Sequence, residues 1–261
     1  MQINNNSRFQ TATVIVVLFA VGTLLNIPFS RELKRLKIEA GDTSVELSDS
    51  IATDLIQTSI YGLILGVVLV LIGLWLSKSA QLGAPVIENF FSNKKGIKHQ
   101  GFFKKLLYPI GLSVVLALVL LVVHKVTRDN FPVEKIIERP SKPFYAIVSF
   151  SAGITEEIIF RFGLMSLVIV LIQLFSKAEK PSTSVVWLGI IVSAVFFGLI
   201  HLPLSKNFSN PSLVTVSSTM IGNLITGFFF GWVYWKRGLL AAIMVHVIWD
   251  LVFHVVGSPY I

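Results

Sequence analysis

Residues 144–175 read FYAIVSFSAGITEEIIFRFGLMSLVIVLIQLF, an apolar run broken by only three charged side chains, Glu156, Glu157 and Arg161. As a helix this run would be about 48 Å long at ~1.5 Å per residue, well beyond a ~30 Å hydrocarbon core. It must therefore tilt, break or begin outside the membrane. It is also too long and too unbroken for a barrel strand, which alternates apolar and polar over about ten residues. Six further runs, at 11–29, 53–77, 107–127, 184–202, 213–235 and 238–256, approach the ~20 residues needed to cross a bilayer. The expected fold class is all-α: a polytopic helical membrane protein of about seven spans, six to eight being compatible with the pattern.

Composition agrees. Of the 261 residues, 54% are hydrophobic and 14% charged, and the mean hydropathy is +0.76. A soluble domain carries roughly a quarter charged residues, so this chain is built for lipid. The segment before the first run, MQINNNSRF, is a weak signal-peptide n-region and no small-residue cleavage site follows, so the first run is read as a retained span. There is no cysteine, which excludes disulfides, a thiolate nucleophile and Cys-ligated zinc.

The net charge of +8 could suggest nucleic acid until the lysines are placed. They lie mainly in short loops, as at Lys94, Lys95, Lys98, Lys104 and Lys105, where cations meet lipid headgroups and set topology. Membrane lipid is the expected partner, and nucleic acid is not. With alternating spans, eleven Lys/Arg fall on the N-terminal side and ten on the other. The dense basic block KKGIKHQGFFKK (94–105) tips the N-terminus toward the cytoplasm. The mixed-charge stretch 30–49 reads as a solvated or interfacial connector, and Pro140, Pro143, Pro181, Pro203 and Pro211 mark helix boundaries.

From Pro143 onward the acids are Glu156, Glu157, Glu179 and Asp250, and only Glu179 lies in a polar connector. A charge at mid-span costs on the order of 2.5–3.5 kcal/mol on insertion scales, so such groups face a bundle interior or wet cavity and mark function. Glu157 and Arg161 stand four apart, on one helix face, and can neutralise each other. Glu156 is rotated about 100° away, which leaves it as the spare carboxylate. In FFGLIHLP (196–203) a histidine, His201, closes an apolar span. In MVHVIWD (244–250) His246 and Asp250 again stand four apart, which suits a hydrogen-bonded pair or two metal ligands on one helix. His254 continues that face one turn on, where a structural or interfacial role is expected. Each motif lies on a different span, which favours a joint site.

These residues resemble the CPBP intramembrane proteases. That family includes CAAX prenyl endopeptidases of the Ras-converting type and bacterial Abi-like relatives linked to bacteriocin processing and self-immunity. Its EExxxR motif is matched by Glu156, Glu157 and Arg161, FxxxH by Phe197 and His201, and HxxxN/D by His246 and Asp250. The resemblance spans residues 144–256, read as a catalytic transmembrane domain, whereas 1–140 is an unassigned transmembrane region of three spans. It implies an endopeptidase in an intramembrane cavity acting on a membrane-associated peptide or protein: a prenylated CAAX-type protein, a leader peptide or a bacteriocin-like peptide. Carried over, Glu156 activates water with His201, His246 and Asp250 form the oxyanion side, and Glu157, Arg161 and Phe197 support the site. It also implies the plasma membrane of a bacterial cell.

Asp250 departs from the prenyl endopeptidases, since an Asn amide can donate to an oxyanion and an ionised Asp cannot. Asp250 either orients His246 and keeps it protonated, the preferred reading, or ligates a metal, or is kept neutral by burial. The family carries a metalloprotease label, and Glu156, His201, His246 and Asp250 are also the candidate ligands of a divalent metal such as zinc; water attack without metal stays open beside it. HExxH, Gly-x-Gly-Asp and GxSG patterns are absent, which leaves no other intramembrane protease chemistry. The alternatives are a non-catalytic immunity or scaffold protein binding a peptide or partner helix, and a proton-coupled transporter.

Overall fold

The structure, a computed structural model, describes residues 5–48, 50–91, 101–131, 135–177 and 179–257. Ten α-helices account for most of them: α1 (Asn5–Leu25), α2 (Ile27–Glu39), α3 (Ile51–Ala80), α4 (Pro85–Phe91), α5 (Phe102–Asn130), α6 (Lys142–Glu156), α7 (Ser166–Ser176), α8 (Thr183–Ser205), α9 (Leu213–Arg237) and α10 (Leu239–Asp250). Two π-helical stretches, Glu157–Met165 and Leu251–Val256, continue α6 and α10 without a break. Among the described residues there is no strand, only an isolated bridge between Lys135 and Ser209. Among the described residues seven helical runs are long and apolar enough to cross a membrane, in the places read from the sequence. The chain is an integral, multi-pass membrane protein.

Local chemistry sets the boundaries. Ser50, Ser182 and Ser212 cap α3, α8 and α9 by accepting hydrogen bonds from backbone N–H groups two or three residues on. Gly238 joins α9 to α10 at φ +83°, a left-handed conformation that a side chain would strain, and any Cβ there would press on Pro85.

Two segments differ from the sequence reading. Residues 27–39, ten of which (30–39) were expected as connector, form helix α2, which follows α1 after Asn26. Pro28 sits in its first turn, where no N–H is needed, and Arg35 pairs with Glu32 and Glu39 along one face. Pro203 lies inside α8 rather than at its margin, because the helix runs two residues further, to Ser205. Of the basic block, Lys94, Lys95 and Lys98 lie outside the described residues, while Lys104 and Lys105 are exposed on the first turn of α5.

The core that positions the polar residues is the packing of α6 against α1 and α10, with α8 and α9 as an antiparallel pair beside it. At Gly153 α6 packs tightly on α10: an added Cβ would stand 2.5 Å from Val247 Cγ2 and 3.2 Å from its backbone nitrogen. Ser113 on α5 donates to the Val245 carbonyl at 3.0 Å, and Ser151 on α6 to that of Gly22 on α1 at 2.7 Å. These bonds tie α10 to α5 and α6 to α1 about one and a half turns before Asp250 and Glu156.

Candidate active site

The continuous helix through α6 and α7 changes winding at the acidic pair. Its π-helical turns begin at Glu157, and those of the last span begin directly after Asp250. Wider turns of this kind replace the usual i→i−4 bonds and are frequent at functional sites.

The two adjacent glutamates part company. Glu157 is fully buried, and its Oε2 stands 3.3 Å from Arg161 Nε. Its Oε1 accepts from His246 Nδ1 at 2.8 Å. Glu156 keeps 20% of its side chain exposed and faces a cavity of about 1470 Å³. Its Oε2 has no hydrogen-bond partner and stands 3.9 Å from both His201 Nε2 and His246 Nε2. Asp250 Oδ2 lies 3.7 Å from His246 Nε2. Four side chains from three spans thus converge on one edge of the cavity.

The ring orientations follow from backbone and carboxylate acceptors. His201 Nδ1 stands 2.6 Å from the Phe197 carbonyl one turn back, so the proton on Nδ1 points away from the site and the Nε2 edge faces Glu156. His246 donates from Nδ1 to Glu157, again turning Nε2 toward the cavity. The carboxylate hydrogen-bonded to His246 is therefore Glu157. Asp250, to which the sequence reading gave the orienting role, stands on the other side of the ring, beyond direct hydrogen-bond distance.

Arg161 is enclosed as fully as Glu157. Its Nη2 donates to the Gly227 carbonyl at 3.2 Å, and its guanidinium carbon lies 4.5 Å from the Phe197 ring centre and 5.6 Å from that of Phe230. Phe197 thus supports the site twice, through its ring under Arg161 and its carbonyl at His201. Phe230 stacks on His246 at 4.3 Å and 20°. Neither Phe230 nor Gly227 was singled out in the sequence, for a phenylalanine in an FFF run on a lipid-spanning helix carries no polar signature. His254 stacks on Tyr145 at 5.1 Å and 6°, and lines the same cavity.

The donor types of Glu156, His201, His246 and Asp250 suit zinc. Tetrahedral ligands at about 2.0–2.1 Å from the ion would stand about 3.3–3.4 Å from one another. The observed separations are 3.7–3.9 Å, and among the described residues no group of three His, Asp or Glu is disposed to hold a metal. The arrangement does not close around an ion, so no step below passes through one.

The cavity is lined by the ends of α1, α5, α8 and α10 and the beginnings of α3, α6 and α9, so it opens at the end of the bundle that carries residues 135–141 and 206–212. Comparison with known proteins bears on this same region: residues 139–252 match the family model described as type II CAAX prenyl endopeptidase Rce1-like. No curated protein and no solved structure matches the chain.

Proposed function

We propose, from the premise that residues 139–252 form a peptidase domain of the type II CAAX prenyl endopeptidase Rce1-like family, that this chain hydrolyses a peptide bond of a membrane-associated substrate with water activated by Glu156 and His201. The convergence of Glu156 Oε2 on two imidazole Nε2 atoms, at 3.9 Å each, carries this reading. A gap of that size is too long for a direct hydrogen bond and matches the span of one bridging water.

In the proposed reaction Glu156 takes a proton from a water held also by His201 Nε2, and the hydroxide oxygen bonds to the scissile carbonyl carbon. The carbonyl oxygen gains the negative charge and accepts a hydrogen bond from His246 Nε2–H, with the Asp250 carboxylate 3.7 Å from that nitrogen as a through-space counter-charge. This gives Asp250 a task despite its lack of an amide donor. Collapse of the intermediate breaks the C–N bond, and Glu156 returns its proton to the leaving amine. Glu157 holds the His246 ring, while Arg161 compensates the charge of Glu157. The proposed substrates are a prenylated CAAX-type protein, a leader peptide or a bacteriocin-like peptide, cleaved in a bacterial plasma membrane.

Cleavage of candidate peptides by detergent-purified protein tests this. Glu156→Ala and His201→Ala are expected to lower the rate by roughly 10²–10⁴-fold, as for loss of a general acid–base group, with little change in thermal unfolding. Wild-type activity is expected to survive a chelator; its loss and recovery with zinc would overturn the metal-free form. A Glu156 variant as active as wild type would sink the mechanism.

A further inference from the structure

The two ends of the bundle are charged unequally. The end that carries the cavity opening holds ten Lys/Arg against nine Asp/Glu, whereas the opposite end holds eleven Lys/Arg against two acids, Glu88 and Glu179. Cations at that second end must find their counter-charge outside the chain. Two of them, Arg8 and Lys78, share one hollow of about 350 Å³, whose other walls are Leu74, Trp75 and Ser79.

Helix packing brings the two cations together. α1 and α3 run antiparallel, and a Cβ added to Gly62 or Gly66 would meet Thr23 or Phe19. Carried on in steps of four residues, that register sets Ser7 and Arg8 level with Lys78, where α1 begins and α3 ends. Lys78 complements the dipole of its own helix from the last turn of α3. Arg8, in the first turn of α1, stands at the wrong end for that. Two like charges at one hollow repel. Among the described residues neither has a carboxylate within 4.0 Å. Of the acids at this end, Glu88 accepts from the Ala84 N–H at 3.2 Å, and Glu179 lies in the connector between α7 and α8.

The rest of the hollow selects the kind of anion. Trp75 is 70% exposed and ends a ridge of exposed apolar side chains, Ile64, Val68 and Leu71, on one face of α3; Lys78 and Ser79 follow on that face. Such a ridge serves acyl chains, and indole rings sit at headgroup depth. A soluble anion would use neither. A phosphodiester carries one negative charge, and its free oxygens accept from a guanidinium, an ammonium and a hydroxyl together. Basic pockets between membrane helices hold anionic headgroups in this way. A zwitterionic headgroup would bring a cation of its own toward Arg8 and Lys78, so a net anionic lipid is favoured.

We propose that Arg8, Lys78 and Ser79 form a binding site for the phosphate of an anionic phospholipid, with Trp75 at the boundary between headgroup and acyl chains. The acyl chains lie along the exposed ridge of α3.

Quenching of tryptophan by brominated lipids tests this. Protein in phosphatidylcholine vesicles receives increasing shares of phosphatidylglycerol, with the bromines on the chains of one lipid or the other, and the Trp75 signal is the difference between wild type and Trp75→Phe. Phosphatidylglycerol is expected to be preferred over phosphatidylcholine at Trp75 by roughly tenfold or more, as for two cations at an anionic headgroup. Arg8→Gln/Lys78→Gln should erase the preference. Lys177→Gln/Lys180→Gln removes the same charge from the same end and should leave it unchanged. Arg8→Glu/Lys78→Glu should turn it toward a brominated lipid with a trimethylammonium head and no phosphate, a gain that misfolding cannot mimic. Equal quenching by the two phospholipids in wild type overturns the site. So does an equal loss of preference in the Lys177/Lys180 variant, which would assign the effect to general surface charge. Inorganic phosphate that abolishes the phosphatidylglycerol signal assigns the hollow to a soluble anion and also overturns the lipid site. Quenching does not require peptide cleavage, so either outcome leaves the peptidase reading as it stands.

Discussion

Removing Arg161 isolates the cost of the buried pair. Arg161→Met keeps the length and apolar stem of the side chain but leaves Glu157 fully buried with His246 as its remaining ion-pair partner among the described residues. Breaking a buried ion pair from one side costs about 3–5 kcal/mol, because the remaining charge is uncompensated. The lost bond to the Gly227 carbonyl and the lost contact with the Phe197 ring act in the same direction. For a chain of this size, at roughly 2–4 °C per kcal/mol, the unfolding midpoint should fall by roughly 6–20 °C. The double variant Glu157→Gln/Arg161→Met removes both charges and still offers His246 Nδ1 an amide oxygen. It is expected to regain most of the lost stability, since replacing both members of a buried pair is often near neutral. Activity should recover less, because an amide holds the imidazole more weakly than a carboxylate does. The assay is thermal unfolding in detergent followed by tryptophan emission, with peptide cleavage run on the same preparations. A single variant as stable as wild type, or a double variant no more stable than the single, would refute the reasoning.

Two other outcomes follow from packing and topology. Gly153→Ala puts a methyl group 2.5 Å from Val247 Cγ2 and 3.2 Å from Val247 N, so α6 must move off α10; stability should fall by about 1–3 kcal/mol and cleavage by roughly 10²-fold. Val247→Ala added to it should recover part of both, and an unaffected Gly153→Ala protein would contradict the tight crossing. Because the chain has no cysteine, Lys180→Cys and Lys206→Cys can each be labelled alone with a membrane-impermeant maleimide. The two are expected to react from opposite faces, with Lys206 on the face to which the cavity opens; labelling from one face would overturn the seven-span topology.

Much of the site was legible because its residues are costly in lipid. Glu156, Glu157, Arg161, His201, His246 and Asp250 stand out where nearly everything around them is apolar, and fixed helical spacing places Arg161 beside Glu157. The same spacing turns Glu156 away, and in the structure Glu156 faces the cavity while Glu157 is enclosed. Helix α2 was less legible, since its ion-paired, mixed-charge face has the composition of a loop.

The amino-acid sequence by itself determined an all-helical membrane architecture of about seven spans, six to eight being compatible, because a bilayer requires long apolar runs that satisfy their own backbone hydrogen bonds. It also determined which charged side chains sit in lipid and which share a helix face, both consequences of local geometry. Only the tertiary structure decided that Glu157, not Asp250, holds His246, that Phe230 lies on that ring, and that Glu156 meets two histidines from other spans. Those contacts depend on how far α6, α8, α9 and α10 slide and rotate against one another. Close approaches such as Gly153 on Val247 set that, and no repeat within a single helix encodes it.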